Sequence, residues 1–399
     1  MNREDFPILN DGRIYFDSAA TSLKPQVLID KTVEYYSKYS TNAHRGEYET
    51  SFVVNQEYEE CRSLIKDFIN AKESSEISFN KGASEGLNQI IFGYYGKHLE
   101  PGDEVIISRV EHAANVLPWF KLVDEKQIVI KYVELDQRHG LSIENLEKVI
   151  SAKTKVISLA HVTNTLGDKR PIEEIGRLCL EKKIDFVLDA SQSIGHIKID
   201  VQKANISFLA FSAHKVLGPT GLGILYGKRE LLEKTDPLIY GGGMNSYFEE
   251  DGSYELKSIP TKFEGGTQNI AGILAFKEVI LYLNKIGLDK INDYCLVLRN
   301  YALQEMKKID NIVIYNQDIE SNLILFNIDG VFAQDTALFL NSKGISLRSG
   351  NHCAKILKEE IKITNSCRLS FYLYNTKEEV DKLIEVLKKQ DEIYDSLVK

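Results

Sequence analysis

Lys215, Asp189 and Cys353 are the residues whose types and settings could combine in covalent chemistry. Lys215 follows the apolar run ISFLAF and precedes a Gly-Pro turn in FLAFSAHKVLGPTGLGILYG. A lone lysine is ordinarily a solvated surface charge. At the end of a buried strand, however, desolvation would lower its pKa and leave its amine able to form a Schiff base. Asp189 ends a second apolar run in DFVLDASQSIG. A buried aspartate there ordinarily caps the next helix, but facing the same crevice it could hold a proton on a bound heterocycle. Cys353, in RSGNHC, follows a glycine in a polar stretch where packing gives no reason for a thiol and nucleophilic chemistry does. The segment KGASEGLNQIIFGY offers a strand-to-helix turn at Ala83 and Ser84, whose exposed N–H groups suit an anion. Taken alone it reads equally well as a plain helix cap.

These groups need elements that bring them together. Between residues 70 and 230, short β-branched runs alternate with segments of helical period, the pattern of crossover units on a parallel sheet. The strand candidates are EISF, EVIIS, IVIKYV, KVISLAHV, DFVLDA, ISFLAF and GLGILYG. Pro171 opens a helix in which Ile172, Ile175 and Cys179 share one apolar face. The expected fold is α/β, a doubly wound and mainly parallel sheet with its chemistry at the carboxyl ends of the strands. After residue 285 the order changes to a helix through Ile291, Cys295 and Ala302, strands near 311–315 and 322–328, and a last helix capped by Thr376 with Glu379 at capping-box spacing. This predicts a second, smaller α+β unit. The glycine-rich stretch 236–268 lacks clear periodicity and is expected to form loops near the site.

Composition narrows the function classes. The chain has 399 residues, 43% of them hydrophobic, which is ample for a buried core. A formal net charge of -9 gives no overall support to a nucleic-acid surface. No apolar run approaches the roughly 18 residues of a membrane span, and the first residues carry no apolar signal core. A soluble, cytoplasmic protein is the expectation, with neither nucleic acid nor membrane as partner. Five scattered cysteines without a CxxC pair argue against a disulfide framework and against a structural zinc site, so no metal is expected. Cys61, Cys179, Cys295 and Cys367 fit helix or strand interiors as small hydrophobes.

The motifs AHRG, NKGASEG, RVEHAANVLPW, HVTNTLG, DASQSIG, FSAHKVLGPTGLG, FEGGTQN, RSGNHC and SCRLSFYLYNT follow one another in a familiar order. Through them the chain resembles the fold-type I pyridoxal-phosphate enzymes of the class V aminotransferase superfamily, and among these the SUF-type (group II) cysteine desulfurases. The resemblance runs from YFDSAATSLKP to YNTKEEVDKL. It implies pyridoxal 5'-phosphate as cofactor, Lys215 as its Schiff-base lysine, Asp189 as partner of the pyridine nitrogen and Gln192 as donor to the phenolic oxygen. His112 would stack on the ring and Asn164 would assist cofactor or substrate. Ala83, Ser84, Ser212 and His214 would surround the cofactor, and Thr267 would reach the phosphate of a neighbouring subunit in a homodimer. Arg368 would take the substrate carboxylate, a task suited to a guanidinium fork, with Arg348 in support. His44 and Arg45 match the family's HRG without an assigned role. The implied division is an N-terminal segment, 1–20, joined to the small domain; a large cofactor-binding domain, 21–280; and a small domain, 281–399, carrying the cysteine loop.

The implied reaction converts L-cysteine to L-alanine, with sulfur held on Cys353 as a persulfide. It then passes to an acceptor protein for iron–sulfur clusters or other sulfur compounds. Rival readings are a selenocysteine lyase or cysteine sulfinate desulfinase, and, in a different class, a cofactor-binding scaffold of a sulfur-assembly complex. Two departures bear on the acceptor. Asn351 stands where relatives usually have histidine, and Gln334 where the branch served by a zinc-containing acceptor carries histidine.

Overall fold

In the computed structural model, which describes residues 3–43 and 46–393, the seven expected runs form one sheet. Its strands are β1 (Ile77–Asn80), β2 (Glu104–Ser108), β3 (Val129–Val133), β4 (Thr154–Ala160), β5 (Asp185–Asp189), β6 (Phe208–Ser212) and β7 (Gly223–Gly227). Their spatial order is β1-β7-β6-β5-β4-β2-β3. Only β7 among them runs against the rest, pairing antiparallel with β1 and β6, while the other neighbours pair in parallel. Every residue of β2, β6 and β7 is buried, which is why these strands read as continuous apolar runs without alternation: helices cover both faces. The helix Ile172–Lys182 buries Ile172, Ile175 and Cys179 as its spacing requires. Register aligns Ala160, Asp189 and Ala210 across β4, β5 and β6, so the loops after these strands start side by side.

The C-terminal part folds around an antiparallel four-stranded sheet ordered Ile312–Ile314, Leu323–Ile328, Ser366–Ser370, Arg348–Gly350. The long helix Leu288–Met306 precedes it and Lys377–Leu387 follows. The latter begins with the expected capping box, Thr376 and Glu379 each satisfying the other's backbone. The N-terminal segment lies along this unit: Ile14–Tyr15 pairs in parallel with Ile345–Ser346, and Asp17 bridges to Ser370. Arg3 forms an ion pair with Glu379.

One expectation needs correcting. The stretch 236–268 is not all loop, because Asn245–Phe248 and Tyr254–Leu256 form an antiparallel hairpin. Its residues are almost all exposed on both faces, so no apolar alternation marks it in the sequence. Gly243 and Gly266 of this stretch border a separate cavity with Arg62 and Glu264, not the one described below. The cysteines divide as expected, with Cys61, Cys179, Cys295 and Cys367 buried and Cys353 exposed. Among the described residues no helix is long and apolar enough to cross a membrane.

Candidate active site

The carboxyl ends of β4, β5 and β6 open on a cavity of about 230 Å3. Lys215, Asp189, His112, Asn164, Arg368 and Cys353 all line it, although they come from points spread over most of the chain. Lys215 ends a 3-10 turn, Ala213–Lys215, that leaves β6 directly. The turn is pinned on both sides, Ala213 N–H donating to Leu222 O at 3.0 Å and Gly218 N–H to Ala213 O at 2.9 Å. Burial holds the lysine pKa below its ordinary value, Asp189 pulls it back up, and Arg368 adds to the depression. Asp189 is 5% exposed, and its Oδ1 accepts the Ser191 N–H at 2.9 Å, which fixes the carboxylate at the strand end.

One end of the cavity is built by β1 and the helix Ala83–Ile90 that follows it. Ala83 N–H donates to Ser212 Oγ at 2.8 Å, joining the first turn of that helix to the end of β6. Ala83, Ser84, Ser212 and His214 all face the cavity here. Gly223 lets β7 pass this turn, since a Cβ there would overlap Gly82 Cα and Asn80 Oδ1. The His214 imidazole is pushed down to about 4 by burial, then by Lys215 and Lys24.

His112 caps the turn Ala113–Asn115 through Nδ1, which accepts the Ala114 N–H at 3.1 Å. In the neutral ring the proton therefore sits on Nε2. Burial, and next the Lys215 charge, lower its pKa. The neighbouring Glu111 ties this turn to the end of β4, accepting from Ala160 N–H at 2.8 Å and Asn115 Nδ2 at 2.9 Å, and its charge is met by the buried Arg170.

At the opposite end Arg368 is 3% exposed. Its Nη1 donates to Asn164 O at 2.7 Å, its Nη2 lies 3.3 Å from Asp17 Oδ1, and its Nε is buried without a partner. Arg348 Nη1 approaches the other oxygen of Asp17 at 3.9 Å. Burial raises the Asp17 pKa against the pull of both guanidiniums. Asn164 Nδ2 donates to His352 O at 2.7 Å, while its Oδ1, also buried, has no partner. The cysteine loop is fastened beside His112, because Ala113 N–H donates to Cys353 O at 2.8 Å.

Two sequence-derived residues stand outside the lining. Gln192 Nε2 donates to Ala19 O at 2.8 Å, so its amide braces the N-terminal segment at the cavity edge. Thr267 accepts from Asn42 Nδ2 at 3.3 Å, on the loop whose Gly266 and Gln268 border the separate cavity. His44 and Arg45 lie outside the described residues. Asp17, Ser191 and His352 were not singled out from sequence, although they sit inside the motifs YFDSAATSLKP, DASQSIG and RSGNHC. Among the described residues no cluster of His, Cys, Asp and Glu could hold a metal ion.

The donor set fits pyridoxal phosphate. A desolvated amine, a carboxylate at a strand end, a neutral imidazole and a helix N-terminus with Ser84 converge on one cavity. The unpartnered Asn164 Oδ1 and Arg368 Nε are buried polar atoms that a ligand would satisfy.

The pattern of the aminotransferase class-V family matches residues 14–383. The chain is 38% identical over 396 residues to a protein of Halalkalibacterium halodurans named a probable cysteine desulfurase, covering 98% of this chain and 97% of that one. A protein of the same name from Ureaplasma parvum is 42% identical over 392 residues, 97% of this chain and 96% of the relative. Among solved structures, the apo cysteine desulfurase of Thermococcus onnurineus superposes with a TM-score of 0.93 at 35% identity, covering 97% of this chain and 96% of that one. A cysteine desulfurase of Escherichia coli gives 0.92 at 31% identity and 98% of both chains.

Proposed function

Because the chain belongs to the aminotransferase class-V family and is a pyridoxal-phosphate-dependent cysteine desulfurase, we propose that sulfur from L-cysteine leaves through Cys353 as a persulfide. The observation that carries this reading is the shared cavity: Cys353 and Lys215 line it together, and the carbonyl of Cys353 is bonded beside His112. The bound cofactor supplies an electron sink for the pair left when the substrate α-proton departs.

Each protein group has a task in that cycle. Lys215 Nζ tethers the cofactor, and its depressed pKa leaves the freed amine able to take the α-proton. Asp189 would hold the proton on the cofactor's ring nitrogen, and the neutral His112 imidazole would lie beside the ring. Ala83, Ser84, Ser212 and His214 hold the phosphate. Arg368 takes the substrate carboxylate through Nε and Nη2, with Arg348 beside it and Asn164 completing the contact. The Cys353 thiolate then attacks the substrate sulfur, forming an S–S bond as the carbon–sulfur bond breaks. The electron pair of that bond remains with carbon and is protonated. L-cysteine and a thiol thus become L-alanine and a persulfide.

The short, anchored loop of Cys353 supports the SUF-type branch, in which the thiol travels little before presenting sulfur to an acceptor. That acceptor is a protein of iron–sulfur cluster assembly or of another sulfur-using route. Thr267 stands away from the cavity of its own chain, which supports a homodimer in which it reaches the partner's phosphate. Free thiols and a net charge of -9 support a cytoplasmic protein with neither membrane nor nucleic acid as partner. The test is Cys353→Ser. The variant should retain cofactor absorbance and lose alanine formation from L-cysteine, whereas wild-type turnover by it removes Cys353 from the reaction.

A further inference from the structure

We propose that Asn351 is a positioning residue for sulfur transfer, its side-chain oxygen fixing the Cys353 backbone amide so that the residue faces the cavity. This rests on the reading of Cys353 as sulfur acceptor. Residues 351–354 form a tight turn closed by Ala354 N–H donating to Asn351 O at 2.9 Å. Its central residues, His352 and Cys353, have φ of 52° and 57°. Paired positive φ values belong to turns built from glycine, asparagine or aspartate; histidine and cysteine pay a steric penalty there. Such strain persists only where the surroundings over-determine it.

The carbonyl side of the turn is held from outside. His352 O accepts from Asn164 Nδ2 at 2.7 Å, and Cys353 O accepts from Ala113 N–H at 2.8 Å. His352 Nε2 lies 3.1 Å from both Ser366 O and Ser366 Oγ, locking the ring against the adjoining strand. The amide side of Cys353 is held from within: its N–H donates to Asn351 Oδ1 at 3.1 Å. That bond sets the direction of the Cys353 peptide, and with it of the Cα–Cβ bond that carries the thiol. Asn351 itself is exposed, so its side chain contributes geometry here and not core packing.

A histidine at this position could make the same contact through a ring nitrogen. Within this chain His112 Nδ1 makes the equivalent bond, accepting the N–H of Ala114 two residues on at 3.1 Å. Asparagine oxygen and imidazole nitrogen are thus alternative acceptors for one local device.

The test compares Asn351→Ala, Asn351→His and Asn351→Asp as holoenzymes, with Cys353→Ser as control. Stopped-flow absorbance on mixing with L-cysteine reads the steps before sulfur transfer, and quenched single turnovers read alanine. A displacement of about 1 Å at a reacting atom costs up to about 100-fold. Asn351→Ala should therefore keep the early absorbance change and slow alanine formation by roughly 10- to 100-fold, while the histidine and aspartate variants recover most of the rate. The inference is overturned if Asn351→Ala forms alanine at the wild-type rate, if its early absorbance change slows as much as its alanine formation, or if neither replacement acceptor is faster than alanine. Failure of the underlying reading shows separately, as wild-type turnover by Cys353→Ser.

Discussion

Arg368→Lys keeps a positive charge where the substrate carboxylate is expected and removes the guanidinium fork. In the structure Nη1 is committed to Asn164 O at 2.7 Å, whereas Nη2 is loosely engaged by Asp17 at 3.3 Å and Nε has no partner. A carboxylate arriving at Nε and Nη2 would gain two charge-assisted hydrogen bonds. One ammonium cannot supply both and also keep the Asn164 contact. Loss of one such bond costs about 1.5–3 kcal/mol, equivalent to roughly 10- to 150-fold in kcat/KM. Because the carboxylate is gripped before and during the reaction alike, most of the loss should fall on KM. The assay is steady-state alanine formation from L-cysteine, paired with absorbance changes on mixing with cysteamine, which lacks the carboxylate. The reasoning is refuted if Arg368→Lys keeps kcat/KM within about threefold, or if its reaction with cysteamine is impaired to the same degree.

Two further outcomes follow from the geometry. Gly223→Ala places a methyl group against Gly82 and Asn80 at the phosphate turn; overpacking of about 1–3 kcal/mol should weaken cofactor binding by roughly 5- to 150-fold, and an unchanged Kd by fluorescence titration would contradict it. Acid stability should fall early. Burial pushes His161, His196 and His352 down to about 3, against roughly 6.5 in the unfolded chain. The unfolded state therefore binds more protons below pH ~6.5, and the contribution of these rings, complete above that value, is lost progressively toward their folded values. Asp168 and Asp185, whose pKa values burial raises, act in the opposite sense nearer the carboxylate range, so the histidine effect is read between about pH 6.5 and 5. Urea midpoints that stay level or rise across that interval would contradict it.

The large sheet was legible in the sequence because its strands are buried on both faces. Runs such as EVIIS and DFVLDA then carry a continuous apolar signal bounded by polar residues. The same runs drew attention to Lys215 and Asp189, since a charge at the end of one has to face either solvent or a site; both line the cavity, but their roles come from the motif resemblance. The hairpin at Asn245–Phe248 and Tyr254–Leu256 was not, since exposed strands have no face to mark. Asp17 was missed because its meaning depends on a partner 351 residues away, brought beside it when the N-terminal segment joins the C-terminal sheet. Gln192 illustrates the converse. The resemblance implies a bond to the ring oxygen, and the structure adds a contact to Ala19, a residue that local sequence could not have brought near.

The central claim, that Cys353 receives the sulfur, is tested most directly by locating that atom. Holoenzyme is mixed with one equivalent of sulfur-labelled L-cysteine without reductant or acceptor, quenched with an alkylating agent and digested for mass spectrometry. The label should appear as a capped persulfide on the peptide containing Cys353, in proportion to the alanine formed. Label released as free sulfide while Cys353 stays an unmodified thiol, or label on Cys61, Cys179, Cys295 or Cys367 instead, would contradict it.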